Sequence, residues 1–444
     1  MNSREHWGSR FGFIMAAAGS AVGLGNIWRF PYTTGQNGGG AFLLIYLGII
    51  LAFGISLVVA EMLVGRSAQR NPVGAFKLLG GRAWPLVGYL GVLTGFVILS
   101  FYIVVAGWTL AYIVHMAQGA LDTTDSAALT DLFGGFVADP VQPIVYAGGF
   151  MVITGIVVIG GINAGIERAN KVLMPALFAL LLVLVVRSVT LPGATEGLIF
   201  YLKPNWSAVT ADTFFAAISQ AFFSLSIGMG TMLTYGSYLS AKENLPSAAL
   251  TVGLLDSAVA ILSGLMVIPA VFAAGLSPSA GPGLTFITLP AVFAAMPFGN
   301  FFGVLFFSLL AIAALTSAVS ILEPLVAYFV DEHGLSRRLV VVAASAVCFL
   351  LGIPASLSFG VMSDVTVFGK NWFDLVDFLS NSVLLPIGGL FTALFVGWFW
   401  AKPALRALSN EGELSQPWAG AWLFILRFVA PIAIAWILIS ALKG

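Results

Sequence analysis

Long apolar segments constrain this chain more than any other feature. Stretches of about 20 apolar residues, the length that crosses bilayer hydrocarbon as a helix, lie at roughly 11–36, 41–65, 86–117, 143–160, 166–189, 212–240, 246–274, 299–330, 337–353, 375–401 and 418–442. Hydrocarbon offers no water to backbone amides and carbonyls, so each stretch must satisfy its own hydrogen bonds as a helix. Of the 444 residues 59% are hydrophobic and 9% charged, against about 25% charged in a soluble domain. The expectation is an all-α integral membrane protein with about eleven transmembrane helices. A formal net charge of zero argues against nucleic acid as a partner. A single cysteine, Cys348, and the scattered His6, His115 and His333 provide no disulfide framework and no thiolate or imidazole metal cluster. The polar residues 1–10 precede an apolar run without a small-residue cleavage site, which reads as a retained first span.

Orientation follows from the basic residues, which accumulate on the cytoplasmic side of a membrane. With the N-terminus inside, the inner segments hold Arg4, Arg10, Arg66, Arg70, Lys77, Arg82, Arg168, Lys171, Lys242, Arg337, Arg338, Lys402 and Arg406, and the outer ones only Arg187, Lys203, Lys370 and Lys443. The loop 120–142 carries Asp122, Asp125, Asp131 and Asp139 and no positive residue, so it faces out. The expected location is the cell inner (plasma) membrane, with the N-terminus cytoplasmic and, for an odd span count, the C-terminus outside. Segment 275–298 is interrupted by Pro278, Pro282, Pro290 and Pro297 and reads as an external hairpin cap.

Two spans are poor helices at their centres. In the first, Ser20-Ala21-Val22-Gly23-Leu24-Gly25-Asn26 sets two glycines and an Asn at mid-span. Each Gly costs about 1 kcal/mol relative to Ala in a helix, and Asn prefers caps and turns. Small residues also line close helix–helix contacts, so this stretch alone fits either a packing face or a broken helix. The sixth span repeats the oddity at Ser224-Leu225-Ser226-Ile227-Gly228-Met229-Gly230. If spans 1–5 and 6–10 are two repeats, the interruptions correspond, which points to the substrate site of an inverted-repeat transporter. The division is then residues 1–190 for the first repeat, 191–402 for the second with its hairpin, and 403–444 for a loop and the eleventh span.

Arg4-Glu5-His6-Trp7, AGSAVGLGNIWRFP from Ala18 to Pro31, Asn37-Gly38-Gly39-Gly40-Ala41-Phe42 and AFFSLSIGMG from Ala221 to Gly230 resemble the neurotransmitter:sodium symporter family, and most of all its bacterial amino-acid transporters. Members of this family carry the same paired interruptions, so the repeat pattern and the motif are not independent signals. The resemblance runs from Arg4 to about the tenth span. It implies a fold of five plus five inverted spans, with the first and sixth unwound at the centre. Most well-known members have twelve spans; this chain has room for eleven, as some bacterial relatives do.

Carried over residue by residue, the resemblance implies two sodium sites. The first uses the Ala21 carbonyl, the Asn26 side chain, Ser224 and Asp256; the second uses the carbonyls of Gly19, Val22 and Ala313 with the hydroxyls of Thr316 and Ser317. Sodium is a hard cation that takes oxygen ligands, which these residues offer. By itself, a Thr-Ser pair in an apolar helix more often bonds back to its own backbone. Asp256 departs from chloride-dependent relatives, which have Asn there. The matching chloride-site positions are Tyr46, Gln220, Ser224 and Ala260, and Ala260 lacks the hydroxyl those relatives use. A carboxylate inside a membrane helix is costly and marks function, so Asp256 is expected to replace the anion, with no chloride required.

Gly23 stands where monoamine transporters of the family place an Asp, so the substrate is expected to bring its own carboxylate, met by the first sodium, freed amides around Ala21, Gly23 and Gly25, and the Tyr102 hydroxyl. Its side chain would lie among Ser20, Ile98, Phe223, Ser226, Met229, Ala318 and Ile321, mostly apolar and without charge. Met is adaptable, and Gly228-Met229-Gly230 could give way for a bulky ring. The expected substrate is a neutral, hydrophobic or aromatic amino acid. The resemblance also implies gates: Arg29 with Asp377 above Tyr102 and Phe223, and Arg4 with Asp331 near Trp7 and Tyr238. Gly165 and Pro175, with nine residues between them, match a family motif at which the fifth helix unwinds to admit water to the second sodium site. The alternatives are a sodium-dependent amino-acid sensor that hardly turns over and a transporter of γ-aminobutyrate or glycine. A channel lacks a visible filter, and an enzyme lacks a nucleophile–base pair.

Overall fold

The computed structural model describes residues 5–278 and 283–443. Among them, nine helices are long and apolar enough to cross a membrane: Gly40–Ala68, Pro85–Ala117, Gln142–Ile159, Ile162–Val189, Leu245–Ala273, Gly299–His333, Arg337–Leu357, Trp372–Phe399 and Ala419–Ala441. Arg10–Ala21 and Gly25–Gln36, bent by 50° at their junction, make the first span. The sixth is two short helices, Ala211–Ser224 and Thr231–Gly236, on either side of the non-helical residues 225–230. Strands are absent among the described residues apart from two isolated bridges. These are the segments that hydropathy marks, shifted by a few residues at their ends.

Both interruptions lie deep in the protein, as hydrocarbon demands of irregular backbone. Gly19 to Ile27 and Ser224 to Gly236 are buried throughout. The first span starts at Ser9, whose hydroxyl accepts from Gly12 N at 3.0 Å as an N-cap. It ends at Ala21, where the Val22 backbone turns extended (φ −77°, ψ 106°). The third helix, Pro85–Ala117, lies against the eighth, Gly299–His333. Its Gly91 faces the Gly230 backbone, and its Gly95 faces Ile321. The two long helices thus form a rigid wall against which the broken ones sit.

The hairpin between the seventh and eighth spans is folded inward. A wide turn at Leu284–Thr288 precedes the helix Leu289–Ala294, and Phe286 is buried among Trp28, Trp108, Tyr112, Phe133 and Phe307. It therefore covers one end of the bundle, opposite the N-terminus. The fifth span begins with a π-turn at Ile162–Glu167, and Pro175 sits inside the helix Arg168–Val189 that follows. Gly165 packs tightly on the preceding turn, where a Cβ would lie 2.2 Å from Val157 O. The helix is widened only over Ile162–Glu167; from Arg168 through Pro175 it is an ordinary α-helix, so the expected unwinding between Gly165 and Pro175 is not present in this structure.

Candidate functional site

The two breaks face each other and the eighth helix across a small cavity. Its volume is about 20 Å³, and its lining is Ser20, Ala21, Gly23, Leu24, Gly25, Ile98, Tyr102, Phe223, Ser226, Met229, Ser317 and Ile321. Each sequence-derived substrate residue is among them except Ala318, which is buried but absent from the lining. Ser317 and Leu24 line it instead. The glycines are there because side chains would not fit. A Cβ on Gly23 would lie 2.4 Å from Ser317 Oγ, and one on Gly25 2.7 Å from the Phe223 ring. The Tyr102 hydroxyl accepts from Leu24 N at 3.4 Å, and Ser226 Oγ donates to Ser20 O at 3.0 Å, so side chains take up backbone groups that the breaks release.

Beside this cavity lies a fully buried polar cluster. Asp256 Oδ1 accepts from Ser224 Oγ at 2.7 Å and from Asn26 Nδ2 at 2.7 Å, and Tyr46 OH donates to Oδ2 at 3.3 Å. Asn26 Oδ1 accepts from Gly23 N at 3.2 Å, tying the cluster to the first break. Gln220 Nε2 donates to Gly25 O at 2.7 Å, while its Oε1 is buried without a partner among the described residues. Ala260 is buried and brings no hydroxyl. The proposed first-site side chains Asn26, Ser224 and Asp256 therefore share one network.

The second group also converges. Ser317 Oγ lies 3.4, 3.3 and 3.2 Å from the carbonyl oxygens of Gly19, Ser20 and Val22. Thr316 Oγ1 donates to Ala313 O at 3.0 Å. Six oxygens from two helices thus gather at a helix break, the five expected from the sequence and Ser20 O beside them, a donor set suited to a hard cation.

The residues expected to form the gates are arranged unequally. Arg29 and Asp377 line one cavity of about 270 Å³ above Tyr102 and Phe223, together with Trp28, Trp108, Phe359 and Phe373. They do not pair directly. The Arg29 guanidinium sits 5.4 Å over the Phe223 ring, and Asp377 Oδ1 accepts from Asn381 Nδ2 at 2.7 Å. The opposite end is shut. Trp7 Nε1 donates to Tyr235 O at 3.0 Å, and its ring packs on Phe13, Tyr235 and Tyr238. Asp331 Oδ2 accepts from Asn71 N at 3.0 Å; Arg4 lies outside the described residues.

Two carboxylates that the sequence reading passed over complete the picture. Glu61 in the second span accepts from Gly228 N at 2.7 Å and so holds the break of the sixth. Glu323 in the eighth span accepts from Tyr238 OH at 2.8 Å and pairs with Arg337. A carboxylate in an apolar run was the available signal for both. Gly228 itself is left-handed (φ +87°), and a Cβ there would meet Leu385 O at 2.3 Å. Gly228→Ala is therefore expected to destabilise the protein by about 1–3 kcal/mol, the usual cost of backbone strain, read as a lower unfolding midpoint in detergent.

Two unwound spans around a buried oxygen-rich site in a polytopic helical protein are the arrangement expected of a membrane transporter. The chain matches the model of the Sodium:neurotransmitter symporter family over residues 4–128 and 145–444. It is 43% identical to the sodium-dependent transporter YhdH of Bacillus subtilis, over 96% of this chain and 95% of that one. It is 30% identical to the sodium- and chloride-dependent creatine transporter 1 of Mus musculus, over 85% of this chain and 67% of the other. The solved structure of MhsT in complex with L-phenylalanine superposes with a TM-score of 0.91 at 50% identity, covering 99% of this chain and all of that one. The chain belongs to the sodium:neurotransmitter symporter family, and it has that family's fold.

Proposed function

We propose that this protein imports a neutral, hydrophobic or aromatic amino acid together with two sodium ions, by alternating access and without chloride. The observation that carries the reading is the cavity between the two helix breaks. Its lining offers freed backbone amides and the Tyr102 hydroxyl to a carboxylate, and Ile98, Phe223, Met229 and Ile321 to a side chain, with no charged residue among them. A cavity of about 20 Å³ has room for little more than one water molecule, so an amino acid enters only if lining groups such as Met229, or the segment 225–230, move aside. Met has the rotamer freedom for that, and MhsT, which shares the fold, has been solved with L-phenylalanine.

Sodium at Ala21, Asn26, Ser224 and Asp256 would face the substrate carboxylate, and sodium at Gly19, Val22, Ala313, Thr316 and Ser317 would tie the first span to the eighth. The Asp256 carboxylate, amid Tyr46, Ser224 and Asn26, supplies the negative charge that an anion would otherwise bring. The basic residues favour an inner-membrane protein with its N-terminus in the cytoplasm and its C-terminus outside. The 270 Å³ cavity at Arg29 and Asp377 is then the outer vestibule, and Trp7, Tyr238 and Asp331 belong to the inner gate. The broken first and sixth spans, one from each of the repeats 1–190 and 191–402, move against the wall of the third and eighth helices around the site. Each positive charge carried inward gains about 2.3 kcal/mol per 100 mV.

The test is binding of radiolabelled amino acids to purified protein, with chloride exchanged for gluconate. Saturable, sodium-dependent binding of Phe, Trp, Tyr or Leu in gluconate is the expected result. Binding restricted to γ-aminobutyrate or glycine would overturn the substrate class, and a chloride requirement would overturn the role given to Asp256. Arg29→Ala and Asp377→Ala are each expected to reduce uptake into vesicles severalfold; unchanged uptake would remove them from the gate.

A further inference from the structure

We infer that Asn170, in the fifth span, is a further sodium ligand on the N-terminal side of the second cation site, taking up the ion as it leaves toward that face. The inference rests on reading Gly19, Val22, Ala313, Thr316 and Ser317 as that site.

Asn170 is 1% exposed. Its Nδ2 donates to Ile166 O, one turn back, at 2.9 Å. This bond orients the amide, because the flipped form would set Oδ1 against a carbonyl oxygen. The Oδ1 so directed is buried and has no hydrogen-bond partner among the described residues. Buried polar atoms are satisfied in the great majority of native structures, so an orphan beside a proposed cation site asks for a ligand.

Its direction is specific. A Cβ built on Gly19 would lie 2.2 Å from Asn170 Oδ1 and 3.2 Å from Thr316 Cβ. The amide oxygen and the Thr316 side chain therefore flank the same point of the first helix, at the residue whose carbonyl oxygen lies 3.4 Å from Ser317 Oγ. Gly19 leaves the space that any side chain would fill. The five oxygens of the second site are all uncharged, and a neutral amide oxygen extends that shell without trapping the ion.

The same seam continues toward the N-terminus. Gly12 lies against Glu167, whose carboxylate would be 2.1 Å from a Cβ at that position. That carboxylate is already engaged by Gly8 N at 2.6 Å, Ser9 Oγ at 2.9 Å and Lys171 Nζ at 2.6 Å. Asn170 thus offers an unused oxygen between the site and the π-turn at 162–167. Opening of that turn would give the ion a way out.

The test uses full-length protein in detergent, with sodium gluconate titrated against potassium gluconate at constant ionic strength and no substrate. A ligand that binds the native state raises the unfolding midpoint according to its affinity, so the sodium concentration giving half the shift is the readout. Asn170→Leu should raise that concentration about three- to tenfold, the size of one lost polar contact. Asn170→Asp, equal in shape but negative, should lower it and slow sodium-driven uptake into vesicles. Thr316→Ala is the control and should raise it. An Asn170→Asp protein that needs as much sodium as the native one, beside a Thr316→Ala protein that needs more, would overturn the role of Asn170 and leave the second site standing. A Thr316→Ala protein without effect would overturn the second-site reading and this inference with it. If Asn170→Leu fails to fold, the isosteric Asp variant carries the test.

Discussion

Replacing Asp256 by Ala is expected to weaken sodium binding by two to three orders of magnitude. The carboxylate is fully buried, and its oxygens accept from Asn26, Ser224 and Tyr46. Even at about 4 Å, farther than a direct ligand would sit, a sodium ion interacts with it by about 4 kcal/mol at the effective dielectric of about 20 that fits measured pairs. Each 1.4 kcal/mol is tenfold in affinity, which sets the scale of the expected loss. The Ala variant also strands three donors, each costing about 1–3 kcal/mol, so the informative partner is Asp256→Asn, which keeps the shape and removes the charge. In that variant, binding lost in gluconate should return in part when chloride is supplied. The measurement is sodium-dependent substrate binding at varied sodium, in both anions. An Asp256→Ala protein whose sodium requirement stays within about threefold of native would show that the charge does not serve the cation.

Arg337→Met is expected to destabilise the fold by about 3–5 kcal/mol, the cost of leaving a buried charge uncompensated. Glu323 is 0% exposed. The Arg337 guanidinium meets both of its oxygens, one through Nη1 at 3.0 Å, and its Nε donates to Val158 O at 2.8 Å. Tyr238 OH donates to the same carboxylate. One buried pair thus joins the end of the sixth span to the fourth, eighth and ninth. Converting both members to Met should restore most of the loss, because an apolar pair of similar volume often replaces a buried ion pair without penalty. Unfolding in mixed micelles compares the two. A double variant as unstable as the single one would mean that packing, not charge, holds this corner. Tyr238→Phe should cost less, about 1.5–3 kcal/mol for a hydrogen bond to a charged acceptor.

Much of this protein is legible along the chain because hydrocarbon imposes local rules. A span must be long, apolar and helical, so hydropathy locates the helices. A mid-span Gly-x-Gly with a polar neighbour is tolerated only where protein covers it, so the breaks at 22–24 and 225–230 are visible too. Partners are less visible. Glu61 and Glu323 each stand out as a costly charge, but the groups that satisfy them lie 167 and 14 residues away. Asn170 gives no sequence signal at all, since an Asn near a helix start is ordinary.

The chain alone specifies a class of solution: a polytopic helical bundle with two broken spans and oxygen-bearing residues beside the breaks. Those properties depend on residue type and on spacing within one segment. Which of them meet is a tertiary outcome. The seating of the eighth helix on the third turns Ser317, rather than Ala318, into the cavity. The same packing leaves Arg29 over Phe223 and Asp377 on Asn381 instead of joined, while Trp7 closes against Tyr235 and Tyr238. Helix rotation and relative position are set by side-chain contacts between segments far apart in the chain, and apolar spans alike in composition leave that choice to packing.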